Sequence, residues 1–415
     1  MAGLRDTAKD LFRTACLAAD PAHALRAALA VSPLPQLGKN GRYLVVSIGK
    51  AAVPMAAEMP GHLAGAPATV LVVTNYENAR TLAGATVMAA GHPVPDENGA
   101  KASHEIIRHL SGAGEADRII ALISGGGSAL LPAPAGGVTL ADKAEVNRLL
   151  LAHGFDITEM NLVRQQLSRL KGGGMLRHAA PAPVTAYILS DVIGDDLRVI
   201  ASGPTVAPIG TAADARALLS GRGVWDRLPA SVRAHLNARG PDNSLPVAQN
   251  VLVGSNRKSL DAVLGAAGVG AKIVTDHLTG DVATAADAVI AAAASAPKDR
   301  PGCLVFGGET TVTLKGNGLG GRNQELALRV ALGMPDLGRD WMFLSGGTDG
   351  RDGPTEAAGG IVDAGTVARI RATGADPEAL LANNDSNAAL KAAGDLLVTG
   401  ATGTNVADVQ ILLLG

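Results

Sequence analysis

Four clusters that pair glycine with charged, hydroxyl or amide side chains crowd the last third of this 415-residue chain. They read Gly307-Gly308-Glu309-Thr310-Thr311, Gly320-Gly321-Arg322-Asn323-Gln324-Glu325, Ser345-Gly346-Gly347-Thr348-Asp349-Gly350 and Gly400-Ala401-Thr402-Gly403-Thr404-Asn405. Glycine lets a backbone come close to a ligand and presents N–H groups to an anion. Glu309 and Asp349 carry the oxygen chemistry of metal or substrate ligands, with turn or capping roles as the alternative. Arg322 can clamp a carboxylate or phosphate with paired hydrogen bonds, or stand as a surface helix arginine. Asn323, Glu325, Thr404 and Asn405 join them as candidate substrate- or phosphate-binding residues. Such a series points to an enzyme with a phosphorylated substrate.

Further clusters lie in the first half. Gly49-Lys50 follows an apolar run, where a lysine near a helix start can pair with phosphate or remain a solvated surface cation. Ser124-Gly125-Gly126-Gly127-Ser128 suits either a phosphate nest or a flexible strand-to-helix turn. Its Gly126-Gly127-Ser128-Ala129-Leu130 lacks the second glycine of GxSxG, which argues against a serine nucleophile. In Ser190-Asp191-Val192-Ile193-Gly194-Asp195-Asp196, Asp191 stands nearest the preceding run and could hold Mg²⁺ or orient a hydroxyl. Asp195 and Asp196 read as caps or exposed charge. His92, in Gly91-His92-Pro93-Val94-Pro95-Asp96, sits in a proline-fixed turn and reads as structural before catalytic. No Walker A spacing and no HExxH occurs. Gly316-Asn317-Gly318-Leu319-Gly320-Gly321 matches GxGxxG in form, but it follows a half-exposed alternating run instead of opening a βαβ unit.

The elements that must position these groups alternate between short β-rich runs and Ala-rich helical stretches. Runs at Tyr43–Ile48, 70–74, Arg118–Ile123 and Val184–Leu189 lie between helical stretches at 99–111 and 141–152, after a helix over 4–30. Alternation of this kind implies a parallel sheet with both faces covered. Helical patterning also spans 211–236 and 283–294. A second series of runs, at 251–254, 272–275, 303–306, 310–314, 341–344, 395–398 and 409–414, predicts a mixed sheet. Within it, 303–306 and 310–314 read as a tight hairpin. The polar stretch 237–250 marks a boundary, giving domains at 1–240 and 241–415. In open α/β sheets ligands sit beyond the carboxyl ends of strands, where every cluster above falls.

Composition excludes several classes. The formal net charge is −2, and two tryptophans, three tyrosines and four phenylalanines are the whole aromatic content. Nucleic-acid binding therefore has neither a basic patch nor stacking platforms behind it. Cys16 and Cys303 are far apart and form no CxxC pair. Charges break the first twenty residues, and no apolar run reaches the roughly eighteen residues of a membrane span. A cytoplasmic setting with no membrane partner is expected.

Taken together, Gly49-Lys50-Ala51-Ala52, Gly91–Asp96, Ser124–Leu131, Ser190–Asp195, Gly307–Val312, Gly320–Glu325 and Thr402–Asp408 resemble, in their order along nearly the whole chain, the class II glycerate 2-kinases with their C-terminal MOFRL domain. The resemblance implies two α/β domains: an N-terminal Rossmann-like one with a largely parallel sheet, and a smaller mixed-sheet one, with the active site in a cleft between them. It implies ATP- and Mg²⁺-dependent phosphorylation of D-glycerate to 2-phosphoglycerate. Lys50 and Arg322 match the family's favoured catalytic residues. On this reading one or two carboxylates from Asp191, Glu309 and Asp349 hold the metal, and one of the three, Asp191 before the others, takes the hydroxyl proton. Ser124, Gly125, Gly126, Gly127 and Ser128 lie beside the substrate. Two rivals stand: an NAD(P)H-dependent hydroxypyruvate reductase of tartrate degradation, the name such chains often carry, and a non-catalytic ligand sensor. A homodimer is compatible with the sequence but not dictated by it.

Overall fold

A computed structural model describes residues 3–240, 244–298 and 300–415. Six strands form the first sheet: β1 Tyr43–Ile48, β2 Ala68–Asn75, β3 Ala85–Ala90, β4 Arg118–Ile123, β5 Val184–Leu189 and β6 Gln249–Gly254. Their order is β3-β2-β1-β4-β5-β6. β1 pairs in parallel with β2 and β4, β2 with β3, and β4 with β5. Every residue of β1 and β5 is buried, as parallel strands covered on both faces require. The chain runs from β1 outward to β3 and then returns beside β1 as β4. Connections leaving β1 and β4 diverge, and this reversal is where open α/β sheets receive ligands.

Two features of this sheet differ from the sequence reading. β3 was not anticipated; three of its six residues are alanine and only Ala90 is buried, so it has little β-branched signal. The run at 251–254, expected to open the second sheet, is the end of β6 in the first. Thr205 donates its hydroxyl to Asn250 Oδ1 at 2.7 Å, a tie within this unit that a short apolar run does not announce.

The second sheet is mixed, as expected. It contains β7 Ala271–Thr275, β9 Gly302–Gly308, β11 Trp341–Gly347, β12 Gly359–Asp363, β13 Leu396–Leu397 and β14 Asp408–Leu414 in the order β13-β12-β11-β14-β9-β7. Only β7 and β9 pair in parallel. The expected hairpin is absent. β8 Gly280–Asp281 and β10 Thr310–Thr311 instead make a small parallel pair. The cause is Gly308, whose φ of +150° turns the chain where a Cβ would stand 2.4 Å from the Leu278 carbonyl oxygen.

Side-chain alternation divides this sheet between two cores. Leu304, Phe306, Trp341, Phe343, Leu412 and Leu414 face the helices Val282–Ala294 and Arg322–Gly333. Cys303, Val305, Met342, Leu344, Val409, Ile411 and Leu413 pack with Leu11 and Phe12 of helix Leu4–Ala18 and with Leu260 and Val263 of helix Asn256–Ala267. The expected single helix over 4–30 is two, because the chain breaks after Ala18 and restarts at Pro21, whose fixed φ suits a first helical turn. Arg5 also reaches Asp395 at 2.6 Å.

Contacts consequently divide the chain otherwise than at 240. One compact unit comprises Met1–Ala24, Asp191–Gly194 and Gly254–Gly415; the other comprises Leu25–Ser190 and Asp195–Val253. The first helix belongs with the mixed sheet because its apolar face is buried there. Gly346 marks the fit: a Cβ at that position would lie 2.8 Å from the Phe12 ring. Truncating Phe12→Ala is expected to cost about 3–5 kcal/mol, as for other buried Phe deletions. Denaturant unfolding checks this, and a loss under ~1 kcal/mol would show that the helix is not part of that core.

Candidate active site

In the parallel-sheet unit the loops after β1, β3 and β4 meet at the reversal. Lys50 donates its backbone N–H to the Gly125 carbonyl at 2.9 Å, and its side chain is exposed. A Cβ on Gly126 would meet the His92 ring at 3.1 Å and the Lys50 stem at 3.2 Å. Burial, reinforced by the nearby Lys50 charge, depresses the His92 pKa. Gly49 has a φ of +118°, and a Cβ there would stand 2.2 Å from Ser124 Oγ. Glycine at 49 is therefore required both by the turn and by the serine behind it.

The two serines of the triple-glycine loop do different work. Ser124 is buried; its hydroxyl donates to the Ile48 carbonyl and accepts from the Ala51 N–H, both at 3.1 Å, so it joins the β1 and β4 loops. Ser128 is half-buried and accepts a hydrogen bond from Lys171 Nζ at 2.9 Å. Gly125, Gly126 and Gly127 lie between them, with Gly127 opening a four-residue helix. Asp191 stands half-buried just past the end of β5.

In the mixed-sheet unit Arg322 opens helix Arg322–Gly333 and is held on both sides. Its Nε and Nη2 bind Asp408 at 2.6 and 2.9 Å, while Nη1 meets Glu309 at 2.8 Å. Asp408 is fully buried, and its cross-strand partners are Gly347 on β11 and Gly308 on β9. A Cβ on Gly347 would lie 3.2 Å from Asp349 Oδ1 and 3.5 Å from Asp408 Oδ1, so these carboxylates flank one glycine. Burial pushes the Asp408 carboxyl up to about 6 against the opposing pull of Arg322. Burial alone would lower the Arg322 pKa, but the Asp408 pairing outweighs it and holds the guanidinium charged.

Asp352 occupies the N-terminus of this helix. Its carboxylate accepts from the Asn323 N–H at 3.1 Å and from the Gln324 N–H at 2.8 Å. The first-turn amides are thus already bonded to a protein anion. Burial raises the Asp352 pKa, and those amides work against the rise. Asn323 receives the Ser345 hydroxyl at 2.6 Å, and Glu325 accepts from Arg329 at 2.7 Å. Glu309, Arg322, Glu325, Asp352 and Asn384 line a pocket of about 490 Å³, within the usual size of ligand sites.

Other candidates are engaged elsewhere. The buried Thr404 donates its hydroxyl to the Ala19 carbonyl, and Asn405 Oδ1 accepts from the Ala407 N–H. The GxGxxG match at 316–321 is not a free phosphate loop: Gly316 N–H bonds Asn384 Oδ1 at 3.0 Å, and Gly318 N–H bonds the Asn383 carbonyl. Asp408, Asp352 and Lys171 escaped the sequence reading. Asp408 closes a motif that was recognised, Thr402–Asp408, and Lys171 precedes three glycines.

Among the described residues no group of three or more His, Cys, Asp or Glu is arranged to hold a metal. Glu309 and Asp349 nevertheless offer hard oxygen donors. Such donors are the kind Mg²⁺ takes, one or two carboxylates with water and phosphate oxygens completing its shell, while Glu309 is paired with Arg322 at 2.8 Å. No helix among the described residues is long and apolar enough to cross a membrane.

Arg322 thus stands beside a pocket in one unit, and Lys50 stands at the parallel-sheet reversal of the other. Residues 7–237 match a domain family of unknown function, DUF4147, and residues 302–408 match the MOFRL family. The D-glycerate 2-kinase of Thermotoga maritima is 40% identical, with 92% of each chain covered. The glycerate 2-kinase of Pyrococcus horikoshii is 38% identical over 99% of this chain and 97% of its own. An Agrobacterium vitis protein provisionally named hydroxypyruvate reductase is 41% identical over 99% of this chain and 94% of its own. The crystal structure of glycerate kinase from T. maritima superposes with a TM-score of 0.92, at 37% identity and 99% coverage of both chains. The chain belongs to the class II, MOFRL-domain glycerate kinase family.

The buried Asp408 gives a pH signature. Its folded pKa lies above the unfolded value of 3.8, so the native state keeps a proton that the unfolded chain has lost. Stability therefore falls as pH rises from about 4 to about 6 and levels off above that. Urea unfolding across this window should show a steeper decline for the native sequence than for Asp408→Asn; parallel profiles would contradict the burial argument.

Proposed function

We propose that this chain is a glycerate 2-kinase, transferring the terminal phosphoryl group of ATP to the 2-hydroxyl of D-glycerate. The observation that carries this reading is the identity of about two residues in five over nine-tenths of the chain to a D-glycerate 2-kinase. Phosphoryl transfer requires positioning and charge neutralisation more than covalent chemistry from the protein. Lys50 has the exposed ammonium for neutralising phosphoryl oxygens. Arg322 offers its planar guanidinium to a carboxylate or phosphate at the pocket, where Glu309 now holds the accessible Nη1. Asp191 takes the glycerate hydroxyl proton. Mg²⁺ bound with the nucleotide would neutralise phosphate charge, held by one or two of Asp191, Glu309 and Asp349. Gly125, Gly126, Gly127 and Ser128 line the acceptor's side. Two free cysteines, Cys16 and Cys303, suit the cytoplasm.

The reading is tested by incubating the protein with D-glycerate, ATP and Mg²⁺ and identifying the product by phosphorus NMR, with hydroxypyruvate and NADH in parallel. 2-Phosphoglycerate is expected, with no NADH oxidation. Lys50→Ala and Arg322→Ala should each lower turnover by about 100-fold or more while retaining the native circular dichroism, the scale seen when charge-stabilising donors are removed. NADH oxidation without phosphorylation would overturn the proposal.

A further inference from the structure

Behind the loop that follows β4, within the parallel-sheet unit, lies a cluster of cations that no acid answers. Lys171 is only 6% exposed, and its ammonium donates to Ser128 Oγ at 2.9 Å. Ser128 Oγ stands 2.9 Å from Ser202 Oγ, and the Ser202 hydroxyl donates to Asn161 Oδ1 at 3.0 Å. With the Ser202 proton committed to Asn161, Ser128 donates to Ser202, and hydrogen bonds run in one direction from the ammonium to Asn161. Lys143 donates to the Pro132 carbonyl, and Arg164 donates to Asn147 Oδ1 at 3.1 Å. Among the described residues no carboxylate forms an ion pair with Lys143, Arg164 or Lys171, and each is perturbed only by burial or by one another.

Of the three, Lys171 is buried and Lys143 and Arg164 are half-buried; a buried cation without a carboxylate is costly, and a similar-sized apolar residue usually serves stability as well or better. The local fold does not need this ammonium. Gly172 N–H bonds the Ser202 carbonyl at 3.0 Å, and Gly173 N–H bonds the Gly203 carbonyl at 2.8 Å, so the backbone already joins the two loops. An adjoining void of about 10 Å³, lined by Gly127, Ala201 and Met175, holds a single water at most. A ligand must therefore approach over Ser128, which is half-buried, as are Gly125 and Gly126.

We propose that Lys171 and Ser128 form an oxyanion subsite that binds one anionic group of a substrate, the Ser128 hydroxyl turning its one proton from Ser202 to the ligand, backed by the charges of Lys143 and Arg164. The subsite stands on its own charge arrangement. It rests on the kinase reading only for which group fills it, glycerate carboxylate or nucleotide phosphate, since both present the same anionic oxygen chemistry. Burial and its cationic neighbours hold the Lys171 pKa well below the ordinary lysine value, and an arriving anion reverses that penalty. Affinity for the anion therefore declines as pH rises through the range in which the free amine loses its proton.

The test uses the full chain and calorimetric titration with four probes: oxalate, D-glycerate, inorganic phosphate and ATP. Lys171→Met should keep or raise the ligand-free melting temperature and weaken one pair of probes by about tenfold or more, the loss of one charge-assisted contact. Loss for oxalate and D-glycerate assigns the subsite to the carboxylate; loss for phosphate and ATP assigns it to the phosphoryl group. Ser128→Ala keeps the ammonium and should weaken the same pair several-fold; it decides the matter should Lys171→Met fail to fold. Unchanged affinities for all four probes, no binding of any probe by the native protein, or a Lys171→Met protein that folds but melts lower would overturn the subsite. Oxalate binding through Lys171 without any phosphoglycerate product would leave the subsite standing and remove the kinase reading.

Discussion

A carboxylate sealed from water demands a cation, and the mixed-sheet unit is arranged around meeting that demand at Asp408. The residue begins β14, inside the sheet between β11 and β9. It faces glycine on both neighbouring strands, which leaves space for a guanidinium that any larger partner would fill. Arg322 enters from the first turn of its helix, and Asp352 fixes that turn by bonding the next two amides. Strand register, helix start and pocket floor thus meet at one ion pair. Removing a single partner from such a pair leaves a charge without compensation, so a change at either residue carries a cost in stability.

That arrangement explains which parts of the chain were legible. Tyr43–Ile48, Arg118–Ile123 and Val184–Leu189 read correctly to the residue, because strands covered on both faces are continuous apolar runs. β3 and β12 were missed, since alanine in one and paired glycines in the other dilute that signal. Glycine was the least decisive letter. Gly307 exists partly because Asn256 Oδ1 would lie 2.1 Å from its Cβ, and Gly359 because the Ser345 carbonyl oxygen would lie 1.9 Å from its own. A glycine that admits a neighbouring side chain and one that admits a phosphate look alike in sequence. Arg322 and Lys50 were found by motif, but the partner of Arg322 was not, because an aspartate at the start of an apolar run reads as the edge of a strand. Lys171 reads as a turn residue until burial is known.

The two units handle charge in opposite ways. In the mixed-sheet unit Asp408 has Arg322, and Asp395 has Arg5 and Arg369 at 2.6 and 2.7 Å, while Asp352 rests on the amides of Asn323 and Gln324. These pairs fix geometry. In the parallel-sheet unit Lys143, Arg164 and Lys171 share one region with only neutral oxygens as acceptors. Fully paired charge specifies a structure, whereas unpaired buried charge keeps a standing preference for something from outside.

The placement of the first helix has a consequence for biosynthesis. Leu11 and Phe12 leave the ribosome early, yet the strands that bury them end with Leu414. At roughly 5–20 residues per second, the intervening chain takes on the order of 20–80 s to appear. Throughout that interval the nascent protein carries an apolar helix face with no complete sheet to cover it, while the strands from Tyr43 to Gly254 emerge and can assemble their own sheet before Leu414 appears. A helix translated ahead of the strands that cover it is completed last, and it is a segment on which a chaperone would have a long claim.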